Sequence, residues 1–318
     1  MKKNIPIFTT CLLLCVLNTN AQFGKLKDVL NNGVGNLLNS KQLKMLQSDP
    51  ITTNFDDCNK TDVLPVNFGT DSVKKSLCTL VGKDYNAATG FTLKPGFYTG
   101  VFKSFCLKAG TYGPGSGDAY LYAPLAGPKE KIARTMIANW EQHPEVDQSK
   151  VQVLLWAIIA KTNFSKLAPE YQLAAAKLLN QNDLSALGSS IMDYLSSEAM
   201  LKITANLPEP AKTIVEIENK MRGLLYQANT SYAELESLAM LGGAAPSNTE
   251  FQRGIWGLHP DGYYIKYLPR GYSQTEVVIY VPQTKGTVTF LPVGDVAVPA
   301  SRGSQRLGQS NLLICKEQ

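Results

Sequence analysis

Cys106 and Gln152 carry side chains that can react with each other. A cysteine thiolate attacking a glutamine carboxamide expels ammonia and leaves an acyl–sulfur bond inside the chain. In water the step is unfavourable, so the two groups must be held together where water is excluded. Cys106 lies near the end of Phe97–Leu107, a stretch that reads as a strand because β-branched and aromatic residues dominate it. Gln152 opens Val151-Gln-Val-Leu-Leu-Trp-Ala-Ile-Ile-Ala160, a run apolar nearly all round and therefore a buried helix. It is the one strongly polar side chain in that run, and a buried carboxamide must be hydrogen-bonded or otherwise used. Trp156 lies one turn further along the same face, where it can shield the pair. A plainer alternative stands beside this one. Gln152 can bond nearby backbone from the first helical turn, with Cys106 in a disulfide or simply buried.

Other chemistries fall away by count or spacing. The two histidines, His143 and His259, each precede a proline, and two are too few for a His-rich metal centre. Neither brings a protease-like signature to Cys106. Asp56, Asp57, Glu141 and Glu145 read as surface charge rather than as a glycosidase pair. Asp56–Asp62 is rich in oxygen ligands, but it lacks EF-hand spacing and the bidentate Glu. No CxxC pair supports zinc. No metal or cofactor is expected. Gly110–Gly117 fits neither glycine fingerprint for phosphate and reads as a mobile surface loop. The net charge of +5 includes Lys2 and Lys3, and no Lys/Arg-rich run concentrates the rest, so nucleic acid is not an expected partner.

At Phe105-Cys106-Leu107 and Gln152-Val-Leu-Leu155-Trp156 the chain resembles the thioester domains of bacterial surface adhesins. Those domains carry an aromatic-Cys at a strand end and a Gln opening a buried helix, in the pattern Thr-Gln-x-x-aliphatic-Trp. Val151 stands where Thr is usual. The likeness covers about residues 97–165, roughly a fifth of the chain. It implies Cys106 as the acyl-carrying thiol, Gln152 as the acyl donor and Trp156 as a shield. The expected function is then attachment: an exported, secreted or cell-surface (or periplasmic) protein whose thioester self-forms and acylates a nucleophile, such as an amine, on a surface protein or glycan. The competing class is a non-catalytic envelope or matrix binding protein with a disulfide-stabilised fold. Its contact surface would include Tyr263, Tyr264, Tyr267 and Tyr272.

The elements that must position these groups come in zones. Residues 1–21 read as a signal peptide: Lys2-Lys3, the apolar run Cys11–Leu17, and Ala21 before a cleavage site. No later segment approaches the length of a membrane span. Export leaves Cys58, Cys78, Cys106 and Cys315, which allow two disulfides in three connectivities. Cys58 and Cys78 are nearest in sequence and suit a stapled surface loop. Residues 22–50 form a weakly amphipathic lead segment. Residues 51–241 are strand-like to about 125 and helical from 128, with helices over 128–140, 151–160, 168–180, 183–205 and 211–241. Gly242–Asn248 reads as a linker to a small β-rich C-terminal module over 249–318, with strands near 263–268, 276–281 and 287–291. The fold class is α+β, with β-rich ends flanking a helical middle. Apolar residues make up 44% of the chain, enough to build a core.

Overall fold

A computed structural model describes residues 49–51, 53–205, 209, 211–243, 245–246 and 250–315. The expected signal peptide and nearly all of the lead segment lie outside these residues.

In chain order the first strands are β1 (Lys74–Ser76), β2 (Tyr85–Asn86), β3 (Gly90–Leu93), β4 (Gly96–Cys106), β5 (Thr111–Tyr112) and β6 (Tyr120–Pro124). Among the described residues seven helices follow: α1 (Glu130–Trp140), α2 (Gln148–Ile159), α3 (Pro169–Leu178), α4 (Gln181–Leu187), α5 (Ser197–Ala205), α6 (Ala211–Leu225) and α7 (Tyr232–Ala239). The chain returns to β7 (Met240–Leu241), β8 (Gly257–Leu258), β9 (Tyr264–Pro269), β10 (Gln274–Val281), β11 (Val288–Phe290), β12 (Asp295–Pro299) and β13 (Leu307–Leu313). The protein is α+β, with its helices in the middle of the chain.

The main sheet runs β6-β12-β13-β4-β10-β9-β8, with β1 as an eighth strand. On one edge, β4 pairs antiparallel with β10 from Gly96 to Lys103. The other edge is shared. There β1 runs parallel along Phe97–Thr99, and β13 runs antiparallel between Phe102 and Cys106. This corrects the reading of residues 249–318 as a separate module. An eleven-residue strand needs neighbours on both edges to satisfy its backbone, and both antiparallel neighbours of β4 come from beyond residue 257. The C-terminal strands therefore complete the sheet that β4 and β6 begin.

Helix α2 is the centre of the helical layer. Its residues Val151 to Ile159 are all buried, and it packs on β4 and on α1, α3, α6 and α7. Two expected helices are each split. The 183–205 span becomes α4 and α5 around a 3-10 turn at Ile191–Tyr194, where Ser190 and Asp193 cap each other's backbone. The 211–241 span stops at Leu225 and restarts at Tyr232. The Ser231 side chain accepts the Glu234 N–H, and Glu234 accepts the Ser231 N–H. That reciprocal pair is a capping box, which starts a helix rather than continuing one.

A second core lies between the main sheet and the small sheet β11-β3-β2, around Phe91, Phe102, Tyr263, Tyr267 and Phe290. Tyr263 and Tyr267 are thus interior residues, not a contact surface. Tyr264 and Tyr272 are half-buried. The disulfide joins Cys78 to Cys315, not to Cys58, while Cys58 and Cys106 are free and buried. Cys78 follows β1 and Cys315 follows β13, so the bond links the two strands that share one edge of β4.

Candidate functional site

The site arises where β4 outlasts its neighbour. The β10 register ends at Gln274 opposite Lys103, and Ser104 N–H still donates to Ser273 O at 2.9 Å. Two residues further, Cys106 turns its N–H and C=O toward the same edge, where no strand remains. Gln152 of α2 fills the vacancy. Its Oε1 accepts from Cys106 N–H at 2.8 Å, and its Nε2 donates to Cys106 O at 3.0 Å. The carboxamide thus pairs with the strand end as another strand would. Gln148, one turn earlier, donates from Nε2 to Ser104 O at 3.1 Å and Ser273 O at 2.9 Å. Four helical residues rise about 6 Å and two strand residues about 6.6 Å, so Gln148 and Gln152 meet alternate residues of β4 in step.

Water is excluded at this contact. Cys106 and Trp156 are fully buried, and Gln152 is 1% exposed. Phe105 anchors the strand end edge-on against Trp140 of α1, with ring centroids 5.3 Å apart. The Cys106 Sγ lies 3.8 Å from Met240 Sδ. Burial, and secondarily the Glu236 charge, push the Cys106 thiol well above its ordinary value. Trp156 stacks on Tyr232 at 5.5 Å, and its buried Nε1 has no hydrogen-bond partner among the described residues.

A half-exposed layer covers the pair. It consists of Tyr232 and Glu236 of α7, Met240 of β7, and Tyr272 from the β9–β10 turn. Tyr272 donates its hydroxyl proton to Glu236 Oε1, and the Tyr232 and Tyr272 hydroxyls meet at 2.7 Å. Because Tyr272 gives its proton to Glu236, Tyr232 is the donor to Tyr272. Burial, with the Tyr272 hydrogen bond opposing it, leaves the Tyr232 hydroxyl pushed up to about 12. Sequence reasoning missed this layer. Its one visible signal was the Ser231-x-x-Glu234 box, which starts α7 and so sets the faces of Tyr232 and Glu236.

The other candidates lie apart. His143 sits with Glu145 at 3.3 Å near the surface. His259 is buried under Tyr263, 3.6 Å from Asp295. Asp57 caps the Asn54 backbone, and Asp56 faces Lys60 and Arg302. Gly110–Gly117 is pinned rather than loose. Thr111 and Tyr112 pair with β7, and Asp118 accepts from Gly115 N–H and from the Ser304 hydroxyl. Among the described residues, no group of three or more His, Cys, Asp and Glu is placed to hold a metal ion. Nor is any helix among them long and apolar enough to cross a membrane. The chain matches no family model, no curated protein and no solved structure.

Proposed function

We propose that this is an exported attachment protein in which Cys106 and Gln152 close an internal thioester that acylates a nucleophile on a partner. One observation carries the reading: residues 46 apart in sequence meet in a dry site, with the Gln152 carboxamide held on Cys106 itself. To condense, the carboxamide carbon moves from the Cys106 backbone to its sulfur. The C–S bond forms, the C–N bond breaks, and ammonia leaves with the thiol proton. The Cys78–Cys315 disulfide supports the reading twice. It takes Cys78 and Cys315 out of competition for Cys106, and it suits an oxidising compartment outside the cytosol.

The test is the intact mass of the secreted protein, whose first residue should be Gln22. Beyond the disulfide hydrogens, the mass should fall short of the sequence by one ammonia. Methylamine should restore it as an adduct on Gln152 and free the Cys106 thiol. Cys106→Ala and Gln152→Ala should each abolish both effects, while Cys58→Ala leaves them unchanged.

The same hydrogen bonds favour one second reading. A carboxamide bonded both ways to the strand end also serves as a purely structural clasp in a non-catalytic binding protein. Full sequence mass after reduction, with no amine adduct, selects that reading.

A further inference from the structure

The cover over Cys106 has a chemistry of its own. Beneath it Cys106, Gln152 and Trp156 are dry. The cover itself, formed by Tyr232, Glu236, Met240 and Tyr272, is half-exposed and therefore the thin side of the site. Its attachments are short: β7 is two residues long, and Gly110 N–H and Gln305 Nε2 both donate to Ala239 O. Hydroxyl protons are ordered along one line, from Tyr232 to Tyr272 to Glu236. The Tyr232 ring stacks on Trp156, and its oxygen, which donates to Tyr272, keeps lone pairs that can accept a further hydrogen bond. Glu236 is the carboxylate whose charge reaches the Cys106 sulfur.

Resting on the thioester reading with an amine as its acceptor, we propose that α7 and β7 form the entry for that acceptor and that Glu236 takes the proton of the arriving ammonium ion through Tyr272 and Tyr232. A carboxylate beside an otherwise apolar site attracts a cation and gives a neutral alcohol no comparable advantage. The ammonium gives one proton to this chain and becomes a free amine. Its nitrogen attacks the acyl carbon of Gln152, the C–N bond forms and the C–S bond to Cys106 breaks. A thiolate in so dry a place beside a carboxylate is disfavoured, so the second amine proton passes to sulfur and Cys106 leaves as a thiol. The products are an amide on Gln152, a free Cys106 thiol and one proton released through Glu236 to solvent.

The experiment follows methylamine and glycerol uptake by the full secreted chain across pH, with the intact mass read first. Wild type should carry the bond and take up methylamine well ahead of glycerol. Glu236→Gln should keep the bond but slow methylamine uptake roughly a hundredfold. Its residual rate should rise with pH in proportion to free amine in solution. Tyr272→Phe breaks the line without changing charge and should slow uptake similarly, so it serves if Glu236→Gln fails to form the bond. If either variant carries the bond and reacts with methylamine at the wild-type rate and pH profile, the proposal is overturned. If wild type lacks the ammonia deficit, the thioester reading itself falls, and this proposal with it.

Discussion

The two halves of β4 are held by different means, and the solvent at each half explains the choice. The first half lies against β1, whose Lys75 and Ser76 are exposed, and beside Ile314, next to the exposed Cys315. There water competes for every hydrogen bond, and the net gain of each is small. A covalent bond does not suffer that competition, and the Cys78–Cys315 disulfide sits at this end. At the other end Ser104, Phe105 and Cys106 are fully buried, and the carboxamides of Gln148 and Gln152 hold the strand. In that dry place an unpaired polar group keeps its full desolvation cost, so hydrogen bonds suffice. Cysteine follows the same division: in a disulfide at the wet end, outside any disulfide at the dry one.

The most severe way to break the comparison is to remove both halves' neighbours. A chain ending at residue 248 loses β8 to β13, including both antiparallel partners of β4. It should show no cooperative thermal transition and no near-ultraviolet dichroism. A folded product would mean that β4 needs neither neighbour. Next in size is the wet end alone. Opening the disulfide with the double change Cys78→Ser and Cys315→Ser releases a very long loop and should cost about 4 kcal/mol in urea unfolding. The dry end should follow closely. Gln152→Ala strands the Cys106 N–H and C=O without water and should cost about 3 kcal/mol. Gln148→Ala strands no N–H, and one of the two carbonyls it bonds, Ser273 O, keeps the Ser104 N–H, so it should cost about 1 kcal/mol. Equal losses at the two glutamines would undo the claim that dryness sets their worth.

Asp295 extends that claim to pH. Burial is the largest influence on its carboxyl, and the net effect raises it above the ordinary 3.8. The folded chain therefore keeps this proton to higher pH than the unfolded chain does. The contribution to stability is full below about 3.8 and is lost as pH rises through the folded value. Asp295→Asn can still accept from Tyr267, and it should flatten this part of the stability–pH curve and raise stability at neutral pH. A steeper curve in the variant would reverse the sign assigned here. The smallest effect is an absence of change. Neither Cys58, its thiol pushed up to about 12 chiefly by burial, nor Cys106 should alkylate in the native state, and both should do so in urea if no thioester forms. Rapid native labelling of Cys106 would show that its end of β4 is wet.

What was legible in the sequence was what repeats locally. The all-round apolar run of α2 announced a buried helix, and the β-branched and aromatic content of Phe97–Leu107 announced β4. Gln152 stood out because a lone amide in an apolar run must have a partner. Gln148 did not stand out, because a polar residue in the first turn of a helix ordinarily faces water. The strands β12 and β13 were missed for the opposite reason. Every residue of β12 is buried, and β13 carries Gln309, Ser310 and Asn311 inside the protein, so neither shows the two-residue alternation of a half-buried strand. The split of the 211–241 helix was written in Ser231-x-x-Glu234, but the surrounding periodicity concealed it. Pairing between distant segments, including Cys78 with Cys315, leaves no local trace at all.

The register of β4 also has a consequence in time. Lys103 pairs with Gln274, and Phe102 pairs with Leu313, so apart from the short β1 pairing at Phe97–Thr99 the strand is bordered by segments synthesised long after it. The helices between them make mostly neighbourly contacts and can gain structure as they emerge. The rest of the strand must wait until residue 313 is free to join it. Folding dominated by such distant pairings is slow, and a chain of this design remains threadable through a narrow translocation channel for most of its synthesis. Only the arrival of β13 commits it to a closed form.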